Sequence, residues 1–333
     1  MTVPRQARLD FPGAVHHVMA RGVARGRIFD DHSDRVFFIE LLGRLVEESG
    51  AQCLAWALLP NHFHMFVRTG KRPLKWVMQR VLLRHAMRYN ERHRRSGHLF
   101  QNRYKSILVQ EDAYLRELVR YVHLNPLRAG VVRSLEGLER YPWCGHGALL
   151  GKVRARWQAV REVLALFGDR PPEARKAYAE YVAEGRGMGH QEEFAVGGLL
   201  RSVRRVEGAG GVVRKRRLVS GDERILGSGE YVAKVLRVVE QRARRKAGLK
   251  RRLTPSIVVK MAAEAAAAEE RDVLGRNRQA KLVKARFLAC KWLVDDLGTR
   301  VVDVAKVFKV TPPAVCHAVS KGRSVESEIG ASM

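Results

Sequence analysis

The sequence predicts an α+β protein: a ferredoxin-like antiparallel sheet with helices, followed by an all-α C-terminal part. Three observations predict it. The first 126 residues alternate short apolar runs with amphipathic ones in the order β-α-β-β-α-β-α. Residues 186–230 turn Gly-, Arg- and Val-rich, with Gly208, Gly210 and Gly211 close together and a basic run at Arg214–Arg217. Beyond them the apolar spacing is helical throughout.

Each element follows from its residues. Ala14–Arg21 alternates and suits a strand. Ser33–Ser49 clusters Val36, Phe37, Ile39, Leu41, Leu42, Leu45 and Val46 at helical spacing, and Gly50 ends that helix. Gln52–Leu59 and His62–Arg68 are apolar runs joined at Pro60-Asn61, which reads as a hairpin. Pro73–His93 is a basic amphipathic helix, and Arg103–Gln110 a further strand. Asp112 is the expected N-cap of a helix running to Asn125, closed by Pro126. From Val131 to about Gly189 the pattern is helical, with a corner at Pro142-Trp143 and a helix at Pro172–Glu184. Helices are expected at Glu230–Ala247, Thr254–Glu269 and Asn277–Asp296. The domain division read from this is 1–150, an extension and mobile basic linker at 151–229, and a helical domain at 230–333.

Charge points to the partner. Lys and Arg number 62 against 34 Asp and Glu, a formal charge of +28. A polyanion explains such an excess better than a solvated surface, because each neutralised phosphate releases condensed counterions. An acidic membrane surface would also attract it, but no stretch approaches the roughly 18 uninterrupted apolar residues of a span. Met1–Pro12 lacks the apolar core of a secretory signal. Cys53, Cys144, Cys290 and Cys316 form no Cys-x-x-Cys pair, which argues against a zinc finger or a disulfide framework and fits a reducing cytoplasm.

Two pairs of residues carry chemistry. His62 and His64 flank Phe63 on a strand, so both imidazoles face one way while Phe63 faces the core. They can ligate a divalent metal, although His-x-His alone also suits a structural pair. Tyr121 and Asn125 are four apart on a helix and share a face. Alone, they read equally as core packing and a helix end. Together with the histidines they suggest a metal that polarises a phosphate, a phenol that attacks it, and an amide oxygen that completes the metal shell. Oxygen beside imidazole suits Mg²⁺ or Mn²⁺. Tyr114 is the second candidate nucleophile, seven residues earlier on about the same face. His123 reads as a surface or core histidine. Of His16 and His17, one is expected buried and the other solvated.

Three motifs then carry a resemblance. Leu58-Leu59-Pro60-Asn61-His62-Phe63-His64, Gly97-His98-Leu99-Phe100-Gln101-Asn102-Arg103-Tyr104-Lys105-Ser106 and Tyr121-Val122-His123-Leu124-Asn125-Pro126-Leu127-Arg128-Ala129-Gly130 resemble the REP-associated tyrosine transposases. These are insertion-sequence transposases of the HUH single-tyrosine class, and the resemblance spans roughly residues 5–150. It implies a ferredoxin-like nuclease domain that cleaves single-stranded DNA at hairpin-forming repeats through a 5′-phosphotyrosine with a free 3′-OH. By position, it makes His62 and His64 the metal-binding pair, Tyr121 the nucleophile and Asn125 the third ligand. Phe63 replaces the usual aliphatic residue between the histidines.

Two further surfaces suit DNA. Between residues 61 and 110, Glu91 is the sole acid amid many cations. Arg80, Arg84, Arg88, Arg92 and Arg95 recur along one helix face, an arrangement whose self-repulsion a phosphate backbone relieves. Arg103 is a further contact candidate. Near the C-terminus, a helix at Val302–Phe308, a turn at Lys309-Val310 and a second helix capped by Thr311, with Pro312 at its first position, read as a helix-turn-helix ending at Gly322. It resembles the one at the end of the replication initiator DnaA, which implies duplex binding with His317 and Lys321 on the recognition helix. The expectation is a cytoplasmic, metal-dependent enzyme acting on DNA hairpins as a monomer or homodimer. A non-catalytic DNA-binding regulator built on the same fold is the alternative. An RNA-binding sheet is disfavoured because no run of stacking aromatics appears.

Overall fold

The structure, a computed structural model, describes residues 8–187, 222–275 and 277–329. Gly208, Gly210, Gly211 and Arg214–Arg217 of the expected linker lie outside the described residues. The chain divides into two compact units, Met1–Val235 and Leu236–Met333.

In the first unit, β1 (Val15–Arg21), α1 (His32–Ser49), β2 (Gln52–Leu59), β3 (His62–Arg68), α2 (Leu74–Arg92), β4 (Lys105–Val109) and α3 (Glu111–Arg128) follow the expected order. The sheet order is β2-β3-β1-β4-β5, where β5 is Ile225–Leu226. The first four strands pair antiparallel, the ferredoxin-like arrangement. The two-residue β5 adds parallel to β4, so the sheet is mixed rather than purely antiparallel. That edge strand is too short to be seen as periodicity.

The pleat divides the unit into two apolar layers. Phe63, Met65 and Val67 of β3 join Val18 and Ala20 of β1, Phe38, Leu41, Leu42 and Leu45 of α1, and Val77, Met78 and Val81 of α2 on one face. Phe66 of β3 and Val15 of β1 meet Leu118, Val119, Tyr121 and Val122 of α3 on the other. This second layer continues beyond residue 150, taking in Val163 and Leu164 of α6 (Val160–Leu164) and Ala174, Tyr178 and Val182 of α7 (Pro171–Glu184). Two shorter helices, α4 (Leu135–Glu139) and α5 (His146–Leu149), lead into them.

Helix ends follow capping chemistry, with one correction. Asp31 caps α1 by accepting from the Asp34 N–H, and Gly50 closes that helix in the left-handed region. α3 begins at Glu111, with Gln110 rather than Asp112 at the cap position, and passes through Pro126 to Arg128. Pro126 therefore does not close it. A proline removes one helical donor, but the Ala129 N–H still bonds Asn125 O and the helix survives its last turn.

Histidines are unusually deep in this unit. His16 and His17 are both buried, at 1% and 0% exposure, against the expectation that one is solvated. His123 is in the core, where its Nδ1 and the Nδ1 of His146 both meet the Tyr178 hydroxyl, at 2.8 and 2.6 Å. This triad pins α7 to α3.

The second unit is helical: α8 (Gly229–Arg252, which begins in the first unit), α9 (Pro255–Ala265), α10 (Glu270–Leu274), α11 (Ala280–Lys291), α12 (Val301–Phe308) and α13 (Pro312–Ile329). A π-helical turn, Trp292–Asp296, extends α11. α9 stops at Ala265 rather than Glu269, α10 is a short helix where none was expected, and α11 starts at Ala280 rather than Asn277. Val258, Leu282, Leu288, Val304, Phe308 and Val315 share one core. Gly322 does not end α13. It lies inside the helix, where a Cβ would sit 2.2 Å from the Phe287 carbonyl oxygen, so glycine is what lets α13 approach α11. Among the described residues no helix is long and apolar enough to cross a membrane.

Two expectations follow. Gly322→Ala must push α13 off α11 and should cost roughly 1–3 kcal/mol, read as a lower urea midpoint for unfolding of the second unit. Burial lowers His16, His85 and His146 to about 4 and His123 well below the usual value. The unfolded chain, with histidines near 6.5, then binds more protons between about pH 6.5 and 4. Stability of the first unit should be fully present above pH 6.5 and fall as pH drops toward 4. A urea midpoint unchanged between pH 7 and pH 4.5 contradicts this.

Candidate active site

The site forms where β1, β3, the segment before β4 and α3 converge. Met19, Ala20, Arg21, His62, His64, Gln101, Asn102, Arg103, Lys105, Tyr121 and Asn125 line one cavity of about 420 Å³. The pleat turns His62 and His64 to the α3 side, with ring centroids 5.1 Å apart. The His64 and Tyr121 rings are 5.9 Å apart and edge to face. Asn125, one turn beyond Tyr121, is anchored by its own Nδ2–H donating to Tyr121 O at 2.8 Å.

The donor set fits a divalent metal. Asn61 Nδ2–H donates to Arg25 O at 2.9 Å, which turns Asn61 Oδ1 toward His62 Nδ1 at 2.6 Å. An amide oxygen only accepts, so His62 carries its proton on Nδ1 and keeps the Nε2 lone pair for a ligand. His64 Nδ1 is engaged by His17 Nε2 at 2.9 Å, so a metal on this ring would be met by Nε2. Burial, with Arg21 as a second cause, lowers His62 to about 4, so it stays neutral and able to ligate. An Asn125 oxygen on the same cavity suits a hard cation such as Mg²⁺ or Mn²⁺.

The phenol is held protonated but tunable. Burial raises the Tyr121 pKa, while Arg128, Arg21 and a hydrogen bond from Asn125 pull it back. Tyr114 belongs to the apolar layer around α3 and does not line the cavity.

Of the cationic residues read from sequence, Arg103 lines the cavity and the arginines of α2 do not. α2 packs on the opposite face of the sheet. Nor is its stripe unrelieved. Arg92 pairs with Asp31 and Asp34. Arg80 lies over the Trp76 ring at 4.2 Å, Arg88 over Phe37 at 4.6 Å and Arg95 over Tyr89 at 5.6 Å. Arg84 is exposed on the same helix. Sequence spacing could not reveal these partners because they lie on α1 or on inward positions of α2.

A second group of potential ligand atoms, Asp30, Asp34 and His93, lies near the ends of α1 and α2. Its atoms are already engaged within the protein: Asp34 accepts from His93 Nε2 at 2.9 Å and from the Asp30 N–H at 3.0 Å, and pairs with Arg92, while Asp30 accepts from the Tyr89 hydroxyl at 2.6 Å. It is an ion-pair knot between two helices.

Sequence reasoning missed Arg21, Gln101, Asn102 and Lys105 at the cavity and the contact of His17 with His64. Lys105 and Gln101 sit inside a quoted motif, but their direction depends on β4 pairing, in which Lys105 faces Met19. In the second unit, α12 and α13 are joined through Lys309, in the left-handed region at φ 53°, Val310 and Thr311. Lys321 is exposed. His317 is exposed too, with its ring edge to face with Phe287 at 5.9 Å.

Residues 12–125 match the family model described as IS200-like transposase. Among solved structures, that of a REP-associated tyrosine transposase bound to a REP hairpin aligns with 12% identity and a TM-score of 0.37, covering 47% of this chain and 97% of that one. No curated protein matches the chain.

Arg21 and Lys105 flank the cavity and should each hold a phosphate of a bound single strand. Replacing either with Gln should weaken oligonucleotide binding and lower the salt slope by about 0.7, measured by fluorescence anisotropy across a salt series. An unchanged slope in both variants removes these residues from the interface.

Proposed function

We propose that this chain, whose residues 12–125 match the IS200-like transposase model, cuts and rejoins single-stranded DNA with Tyr121 as nucleophile. The observation that carries the reading is the convergence of His62, His64, Tyr121 and Asn125 on one cavity with cationic walls. The Tyr121 oxygen attacks phosphorus, the bond to the 3′ oxygen breaks, and a 5′-phosphotyrosine and a free 3′-OH result. The phenol proton passes to solvent, and the leaving oxygen takes one up. Rejoining is the reverse: a 3′-OH attacks the phosphotyrosine and releases the phenol. One phosphodiester-type bond is exchanged for another at each step, so no nucleotide cofactor is needed.

His62, His64 and Asn125 would hold Mg²⁺ or Mn²⁺, which polarises the scissile phosphate when bound. Arg21 and Arg128 stabilise the phenolate as it forms, the two cations that already pull the Tyr121 pKa down. Arg103 and Lys105 take phosphate charge at the rim. The hairpin as substrate rests on the motif resemblance at 58–64, 97–106 and 121–130. Duplex binding by the second unit rests on the α12-turn-α13 geometry with Lys321 exposed, His317 beside it, and the net charge of +28. The arginines of α2 (Arg80, Arg84, Arg88 and Arg92), with Arg95 just past the end of the helix rather than on it, are proposed as a contact on the far side of the sheet for DNA that extends beyond the cavity.

The test is incubation of labelled single-stranded hairpins with full-length protein and Mn²⁺, followed by denaturing electrophoresis. Wild type should yield a covalent protein–DNA adduct, and Tyr121→Phe should yield none while binding the same DNA. Adduct formation by Tyr121→Phe but not by Tyr114→Phe moves the nucleophile to Tyr114. Binding without any adduct in the wild type supports the regulator alternative.

A further inference from the structure

His17 is a fully buried residue of β1 with no part in the reaction described above. β1 and β3 are antiparallel, with Met19 opposite His64 and His17 opposite Phe66, so His17 is the diagonal neighbour of His64 on the same face. The two imidazoles stack, with centroids 5.2 Å apart and planes at 19°, and join through His17 Nε2 and His64 Nδ1 at 2.9 Å. His17 also stands edge to face against Tyr121, with centroids 5.7 Å apart. It is thus wedged between the second histidine of the pair and the nucleophile.

His17 is not itself a third ligand by geometry. Among the described residues, the group of three His, Cys, Asp or Glu whose ligand atoms all lie within 4.8 Å of one another is Asp30, Asp34 and His93; His17, His62 and His64 make no such set. Its bond to His64 instead has a tautomeric consequence. An imidazole that ligates through Nε2 must carry its proton on Nδ1 and give that proton to an acceptor. For His62 the acceptor is the Asn61 amide oxygen. For His64 the atom in that position is His17 Nε2.

We infer that His17 is a positioning residue of the metal site: it accepts the Nδ1–H of His64, fixes that ring's tautomer and rotation, and so aims His64 Nε2 at the cation. The inference rests on the reading that His62 and His64 bind a divalent metal. Outer-shell partners of this kind are worth ~10–100-fold in metal affinity. The stacking supplies what an amide acceptor would not, a flat wall that keeps the His64 ring from turning about its Cβ–Cγ bond.

The experiment has two parts on the full chain. Mn²⁺ affinity, followed by the loss of the free-ion electron paramagnetic resonance signal, is compared for wild type, His64→Ala, His17→Leu, His17→Gln and His17→Asn. His64→Ala should abolish site binding. His17→Leu should weaken it ~10–100-fold, and His17→Gln, whose amide oxygen reaches the position of Nε2, should restore most of it, while the shorter Asn does not. Long-range nitrogen–proton spectra of the ¹⁵N-histidine wild type without metal read the tautomer directly and depend on no variant folding. The proposal expects Nδ1–H on His64. Unchanged affinity in His64→Ala overturns the metal reading itself. Loss in His64→Ala with wild-type affinity in His17→Leu overturns the positioning role alone, as does an Nε2–H tautomer at His64.

Discussion

The period-two alternation of β3, fixed by its pairing with β1 and β2, is the constraint on which the first unit depends. Phe63, Met65 and Val67 must enter the layer formed with α1 and α2, because they are large apolar side chains buried almost completely. Their burial forces His62 and His64 onto the opposite face, where α3 brings Tyr121. A slip of one residue would bury both imidazoles under α2 and expose the phenylalanine, so the register is held by several apolar side chains at once. The same alternation on β1 sends His16 into one layer and His17 into the other. Position on the pleat thus decides which histidine touches the site.

That division explains how much was legible. Strand and helix order, the β2–β3 turn and the identity of the His62, His64, Tyr121 and Asn125 set follow from periodicity and motif, which are properties of neighbouring residues. What was not legible depends on pairing across the chain. Burial of both His16 and His17 requires knowing that β1 is the central strand of the sheet, flanked by β3 and β4. The partner of Arg92 lies at the start of α1. β5 is two residues long and acquires its identity only by bonding to β4. In the second unit the glycine at 322 reads as a helix stop, since glycine weakens helices. The close approach to the Phe287 carbonyl oxygen reverses that reading.

The cationic excess resolves into distinct chemical situations. On α2, arginines lie on aromatic rings or pair with Asp31 and Asp34, so part of their charge braces the α1–α2 layer. Around the cavity, Arg21, Arg103 and Lys105 form a rim on the α3 side. Burial lowers the Lys105 pKa and Glu223 offsets part of that, so its charge is held in a partly desolvated position where a phosphate is a strong partner. Charge at the rim is therefore arranged around the proposed nucleophile, while part of the charge on α2 is arranged around the fold.

The environment of Tyr121, the proposed nucleophile, follows the same logic of opposing effects. Tyr121 is 1% exposed, and burial alone would make its phenolate expensive. Arg128, its guanidinium 5.5 Å from the ring centroid, and Arg21 at the cavity wall recover part of that cost without exceeding it. The result is a phenol that stays protonated while the cavity holds only water. In the proposed reaction its proton becomes easier to lose only when the negative charge can move onto phosphorus, in the same step that breaks the strand. A tyrosine with a fully depressed pKa would be ionised at all times but would hold its charge too tightly to be a good nucleophile. On the proposed mechanism, the balance of desolvation against two arginines and one amide instead ties reactivity to the presence of a bound phosphate.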